Sequence, residues 1–181
     1  MTFFRVFPYD SSAAVGQPGG ALFVPRSQGH WRIDNSDLYD VFYVSSHKEG
    51  AIAEAFGQFT TWRSETFTNA HGFVYSLAHY DTTDNVTVVD LDDANELVAL
   101  GLKPSDVISR NRTKTQAWAR RLFLSKRGIG VGWWSYYDPE MHSFGLWNVA
   151  SLNVDGTPEP LHVLHPDVTG TAKRINRSLA P

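Results

Sequence analysis

Short apolar runs separated by clusters of turn residues dominate the chain, and their periods alternate between two and about 3.6. Residues 3–7, Phe-Phe-Arg-Val-Phe, suit a first strand that runs into Pro8, Ser11, Ser12, Gly16, Pro18, Gly19 and Gly20, a loop signal. A brief apolar run at 21–24 precedes an irregular segment, 25–37, that has no core period and is the kind of loop that carries function. Residues 41–44, Val-Phe-Tyr-Val, predict a buried strand. A helix should follow, with Ser46 as its cap, Glu49 completing a capping box, and Ala51, Ile52, Ala55, Phe56 and Phe59 recurring at helical spacing, its end expected near Gly57.

Residues 73–78 and 86–91 read as two strands joined by a turn at 81–85, which predicts a hairpin. Asp92 or Asp93 can cap a short helix that stops at Gly101, and Thr113 or Thr115 a longer one that runs towards Gly128. Residues 129–134 and 144–149 look like strands around a Tyr136-Tyr137-Asp138-Pro139 turn. The tail from Asn153 holds four prolines and is expected to be surface loops, with one edge strand near 161–164. Strand pairs interrupted by short helices predict an α+β fold with mixed or antiparallel sheets in a single domain spanning 1–181, its core at about 3–150 and a loop-rich tail at 151–181.

Composition narrows the chemistry. With 181 residues the chain can bury about 70% of its surface, enough for a core without a staple. The absence of cysteine excludes disulfides, a thiolate nucleophile and thiolate metal sites. A net charge of -3 argues against charge-driven binding to nucleic acid or a membrane surface, although a local basic patch at Arg120, Arg121, Lys126 and Arg127 would suit either solvent or an acidic partner segment. No secretory signal or membrane span is evident, so a cytoplasmic location is the simplest expectation. No phosphate loop, dinucleotide fingerprint, His-Glu-x-x-His or nucleophile elbow is present. His162 and His165, in a strand-like tail, are expected on opposite faces rather than on one metal.

Four positions stand out for their surroundings. Arg32, in the irregular segment, can clamp a phosphate pair or pair with Asp34. Tyr43, on the predicted strand, offers a ring to a ligand or fills the core. Glu54 sits among Ala51, Ile52, Ala53, Ala55 and Phe56, where a carboxylate is either functional or on the exposed stripe. Ser135 lies between Trp133-Trp134 and Tyr136-Tyr137, a hydroxyl among four large rings.

In that order, these residues resemble the RES-domain family, named for its Arg, Glu and Ser. The matching pieces are Gly29-His30-Trp31-Arg32-Ile33-Asp34-Asn35, Phe42-Tyr43-Val44-Ser45, Gly50-Ala51-Ile52-Ala53-Glu54-Ala55-Phe56, Val89-Asp90-Leu91-Asp92-Asp93, Thr115-Gln116-Ala117-Trp118-Ala119 and Gly130-Val131-Gly132-Trp133-Trp134-Ser135 with Leu146-Trp147. They span about 3–150. The family usually carries an aromatic directly after the Arg; here that position is Ile33, and Trp31 stands before the Arg.

The resemblance implies an ADP-ribosyltransferase-like fold and a toxin that consumes NAD and is neutralised by an Xre-type antitoxin. It implies that NAD is the substrate and that no metal is needed. Arg32 would hold the pyrophosphate, Tyr43 would pack on the nicotinamide or its ribose, and Glu54 would stabilise an oxocarbenium-like ribose. Ser135 would orient the nicotinamide side or the acceptor, and Trp31, Trp133 and Trp134 would wall the pocket. The acceptor, whether phosphate, water, or a protein or metabolite group, decides between NAD phosphorylase, NAD glycohydrolase and ADP-ribosyltransferase. Self-association is left open. The rivals are a non-catalytic aromatic-rich module for nucleotide or carbohydrate, a glycosidase pairing Glu54 with Asp34 or Asp90, and, last, a serine hydrolase on Ser135.

Overall fold

The computed structural model describes residues 1–26, 29–82 and 86–180. Its centre is a seven-stranded mixed sheet of order β5-β6-β7-β2-β1-β4-β8. The strands are β1 (Thr2–Pro8), β2 (Phe42–Ser45), β4 (Tyr75–Thr82), β5 (Val88–Asp90), β6 (Gly130–Trp134), β7 (His142–Leu146) and β8 (Leu152–Pro160). A small parallel pair, β3 (Thr61–Trp62) with β9 (Ser178–Leu179), lies apart. The helices are α1 (Lys48–Phe56), α2 (Ala94–Leu100), α3 (Pro104–Val107), α4 (Arg112–Ser125) and α5 (Pro166–Arg174). The α+β expectation holds.

The two faces of the sheet are covered differently, and period-two alternation decides which residue goes where. Phe3, Phe7, Phe42, Val44, Ala78, Tyr80 and Leu146 point to one face and are closed over by the loop carrying Ala21, whose carbonyl accepts from the Tyr80 hydroxyl at 2.7 Å. The other face is shared by two helical groups. α1 and α5 cover the β1/β4 side through Ala51, Ile52, Phe56, Val168 and Ala172. The connection from β5 to its parallel neighbour β6 is a crossover, as parallel pairing requires, and it lays α2 to α4 over Val89, Leu91, Val131 and Trp133 through Leu97, Val107, Trp118 and Leu122.

Several local expectations change. β4 and β5 do not form a hairpin: they sit at different places in the sheet order, because β4 finds β1 and β8 while β5 finds β6. Of the expected turn, Thr83, Asp84 and Asn85 lie outside the described residues. The Ser46 capping box does not form; His47 is the N-cap and Ser46 Oγ bonds the His47 ring instead. Asn111, not a threonine, caps α4, and Lys126 ends it in the left-handed region at φ 53°. Asp93 caps α2 and Gly101 closes it at φ 62°, as expected.

The tail differs most. Residues 152–160 form β8, paired along β4, and α5 packs on α1, so this part of the tail is built into the fold rather than wrapped over it. Pro158 and Pro160 are tolerated because β8 is an edge strand. His165 caps α5, and its ring lies 5.6 Å from that of His162, not on an opposite face. In the basic run, Arg120 pairs with Asp37 and Arg127 with Glu96, each at 2.7 Å, within the chain.

Candidate active site

The two helical groups leave the middle of the sheet uncovered between α1 and α4, and a cleft of about 360 Å³ opens there. Strand register builds its floor. Phe4 of β1 stands opposite Ser45 of β2, Ser45 opposite Ser143 of β7, and Ser143 opposite Trp133 of β6, which makes one row across four strands. A second row holds Tyr43, Gly145 and Val131. The small residues in the middle of each row make the depression, and the large rings at its sides make the walls.

Two glycines seat the functional elements. A Cβ at Gly50 would collide with Ser45 Oγ, so only glycine lets α1 come down on β2 at the height that brings Glu54 to the cleft. A Cβ at Gly145 would collide with Ile33 Cδ1, and this glycine lets the Arg32 segment lie on the sheet. Ile33 is fully buried there, so the ring that reaches the cleft from this segment is Trp31, 63% exposed at the rim.

Glu54 projects from α1 into the cleft, exposed, and is the only carboxylate among the described residues lining it. Its Oε1 accepts from Ser135 Oγ at 2.6 Å and from Ser143 Oγ at 3.1 Å. Ser135 is 2% exposed and does not itself line the cleft; its Oγ also accepts from the Tyr137 amide at 3.2 Å. Its hydroxyl thus holds the Glu54 carboxylate from behind the cleft wall, and among the described residues no histidine bonds it, as a hydrolase triad would require.

Arg32 does not pair with Asp34. Its Nη1 donates to the carbonyls of Val107 at 2.5 Å and Ser109 at 3.2 Å, which ties it to the segment between α3 and α4, and its guanidinium lies 6.0 Å from the Trp133 ring. Burial, then the neighbouring charge of Arg112, hold the Arg32 pKa below its ordinary value, while Glu54 and Tyr43 act the other way. Asp34, 2% exposed, accepts from the Tyr43 hydroxyl at 2.9 Å and the Trp31 amide at 3.0 Å, and so is spent inside the protein. Burial first, and then the charge of Asp34, push the Tyr43 pKa far up, so Tyr43 is a neutral phenol whose ring lines the cleft. The glycosidase pair with Asp34 is thereby lost, because that carboxylate has no free face in the cleft.

Trp134 is not among the cleft-lining residues; it alternates with Trp133 along β6 and packs beside the helical core instead. Trp133, Trp31 and the exposed Tyr136 join Phe4 and Tyr43 as the rings that line the cleft. Sequence reading missed Ser143 and Arg112. Small residues at 143 and 145 on one face of a strand were the signal for the first, and a cation in the first turn of α4, where the helix dipole disfavours it, for the second. Two groups of His and carboxylate ligand atoms, His79/Asp81/Asp155 and Glu159/His165/Asp167, occur among the described residues, and none of them lines the cleft.

The fold and the site define a class: an α+β domain whose split helical layer exposes one helix-borne carboxylate and a half-buried arginine in an aromatic cleft. The RES domain family model matches residues 4–168, and the chain belongs to that family. No curated protein sequence matches it. Among solved structures, the chain is similar to one in the crystal structure of the M. tuberculosis MbcT-MbcA toxin-antitoxin complex, with a TM-score of 0.61 and 15% identity over 97% of this chain and 88% of that one. At that identity the likeness concerns the fold.

Proposed function

We propose that this protein cleaves the nicotinamide–ribose bond of NAD and acts as the toxin of a toxin–antitoxin pair. The observation that carries the reading is the Glu54 carboxylate, held on one oxygen by two serine hydroxyls in the cleft that Arg32 and five aromatic rings line. Bond cleavage sends the C–N electron pair to the pyridine nitrogen, which becomes neutral, and leaves positive charge on the ribose. Glu54 is placed to stabilise that charge, its Oε1 fixed by the serines and its Oε2 free of both. A fixed carboxylate in a walled cleft needs no reorganisation as the charge develops. Arg32 faces the diphosphate as a guanidinium, and Tyr43, locked as a phenol by Asp34, packs its ring against the nucleoside. The acceptor oxygen, from phosphate or water, bonds to the ribose carbon and loses its proton to solvent; a protein or metabolite acceptor would make the same step an ADP-ribosyl transfer.

An enzyme that destroys NAD needs an inhibitor, and the family and the toxin–antitoxin neighbour support a dedicated antitoxin, of Xre type by the family resemblance. No helix among the described residues is long and apolar enough to cross a membrane, and action in the cytoplasm, on its NAD, fits the proposal.

The test is nicotinamide release from NAD by purified, inhibitor-free protein, with and without phosphate, with the ribosyl product weighed by mass spectrometry. Glu54→Gln is expected to lose about a hundredfold or more in rate, the scale of removing one preorganised charge-stabilising group. A folded wild-type protein that binds NAD without turnover would favour a non-catalytic module instead.

A further inference from the structure

Arg112, the first residue of α4, lines the same cleft as Arg32 and Glu54. Its Nη1 is buried and has no hydrogen-bond partner among the described residues, whereas Lys114, two residues on, is paired with Asp106 at 2.5 Å. Arg112 is close enough to Arg32 for its charge to depress that group's pKa. The two are also mechanically linked, since Arg32 Nη1 is fastened to Val107 and Ser109, the stretch that leads into α4. Two guanidinium groups facing one partly buried space repel, and for Arg32 the charge of Glu54 weighs less than burial and the charge of Arg112. A buried donor without an acceptor is costly, more so when it is charged. An oxyanion with several acceptor oxygens would resolve both at once, because the planar guanidinium fork matches phosphoryl geometry. The amino-terminal end of the fourteen-residue α4 adds its dipole with the same sign.

We infer that Arg112 and Arg32 form a two-arginine clamp for a phosphoryl group. The clamp deepens the NAD-cleavage reading and rests on it for the identity of the ligand: the group is either the diphosphate of the dinucleotide or the free phosphate that accepts the ribosyl unit. Arg32 is the fixed half, anchored on the backbone. Arg112 is the half whose free Nη1 waits for the ligand.

The experiment measures equilibrium binding of ADP-ribose, inorganic pyrophosphate and inorganic phosphate to the wild-type protein, Arg112→Gln and Arg112→Lys, each shown by thermal unfolding to be folded, together with the KM values for NAD and phosphate. Arg112→Gln is expected to weaken phosphoryl binding about tenfold or more, with Arg112→Lys recovering part of the loss through charge alone. Weakened ADP-ribose and pyrophosphate binding with a raised KM for NAD supports the clamp as a diphosphate site. A raised KM for phosphate with KM for NAD unchanged supports it as the acceptor site. Pyrophosphate binding that depends on Arg112 in a protein that releases no nicotinamide would retain the clamp and overturn the NAD reading. Folded Arg112→Gln that binds all three ligands and turns over NAD as the wild type does would overturn the clamp and leave the NAD reading standing.

Discussion

Glu54 owes its position to its own helix and to two hydrogen bonds, from Ser135 after β6 and from Ser143 on β7. The two serines are not equivalent. Ser135 makes the shorter bond and also accepts the Tyr137 amide, so Ser135→Ala both loosens the carboxylate and leaves a backbone donor without its acceptor. We expect Ser135→Ala to lower nicotinamide release by about tenfold or more and Ser143→Ala by less, both with KM for NAD little changed, because a positioning hydroxyl acts on the charge-developing step. Steady-state kinetics of both variants would check this, and an effect confined to KM would assign the serines to substrate binding instead. The residue scale was partly legible from sequence. Arg32, Tyr43 and Glu54, singled out by their unusual neighbours, line the cleft, and Ser135 lies behind its wall, bonded to Glu54. Ser143 and Arg112 were not found, since a serine in a strand and an arginine in a basic helix look ordinary until register and packing put them beside Glu54 and Arg32.

The elements form largely where the apolar periods put them, but their partners do not follow from sequence order. β6 and β7 make the expected hairpin around Tyr136 to Pro139, a local connection that the chain closes cheaply. β4 and β5 were expected to do the same and do not, because each gains more from the strands available on the assembled sheet. The carboxy-terminal elements were underestimated for a similar reason: prolines signal loops, yet an edge strand admits them on its open side. Leu152, Leu161, Val163 and Val168, with Ala172 and Ile175, are all buried in the cores. Each large aliphatic side chain contributes about 1.5–3 kcal/mol, against a net stability on the order of 5–15 kcal/mol for a domain. A chain ending at residue 150 is therefore expected to have no cooperative thermal transition, although it retains most of the residues that carry the family resemblance. Circular dichroism melting would decide, and a sharp transition in the shortened chain would show that β8 and α5 are dispensable.

Across the whole molecule, burial of tyrosine in the cores ties stability to alkaline pH. Tyr39 and Tyr80 are 8% and 0% exposed, and burial before any other cause pushes both up to about 12; Tyr43 is shifted in the same direction. A phenol whose pKa is raised on folding stabilises the native state fully below its unfolded value near 10. That contribution is lost as pH rises from about 10 through about 12, by on the order of 1.4 kcal/mol per pH unit for each tyrosine. Urea midpoints are expected to be flat across neutral pH and to fall steeply above about pH 10, before tyrosinate absorbance rises in the folded protein. A midpoint that holds to about pH 11 would sink this account.

What the sequence determined by itself is the class of elements, the α+β alternation, the family, and the residues whose chemistry is odd for their local setting. These follow from short-range physics, in which period, turn residues and capping act over a few positions. Tertiary structure decided which strands pair, how the helices divide over one face, and hence where the cleft opens. It also decided that Asp34 is spent on Tyr43, that Ser135 donates to Glu54, and that Arg112 stands near Arg32. Each of these depends on contacts between residues far apart in the chain, and only the packed sheet brings them within hydrogen-bonding or Coulombic reach.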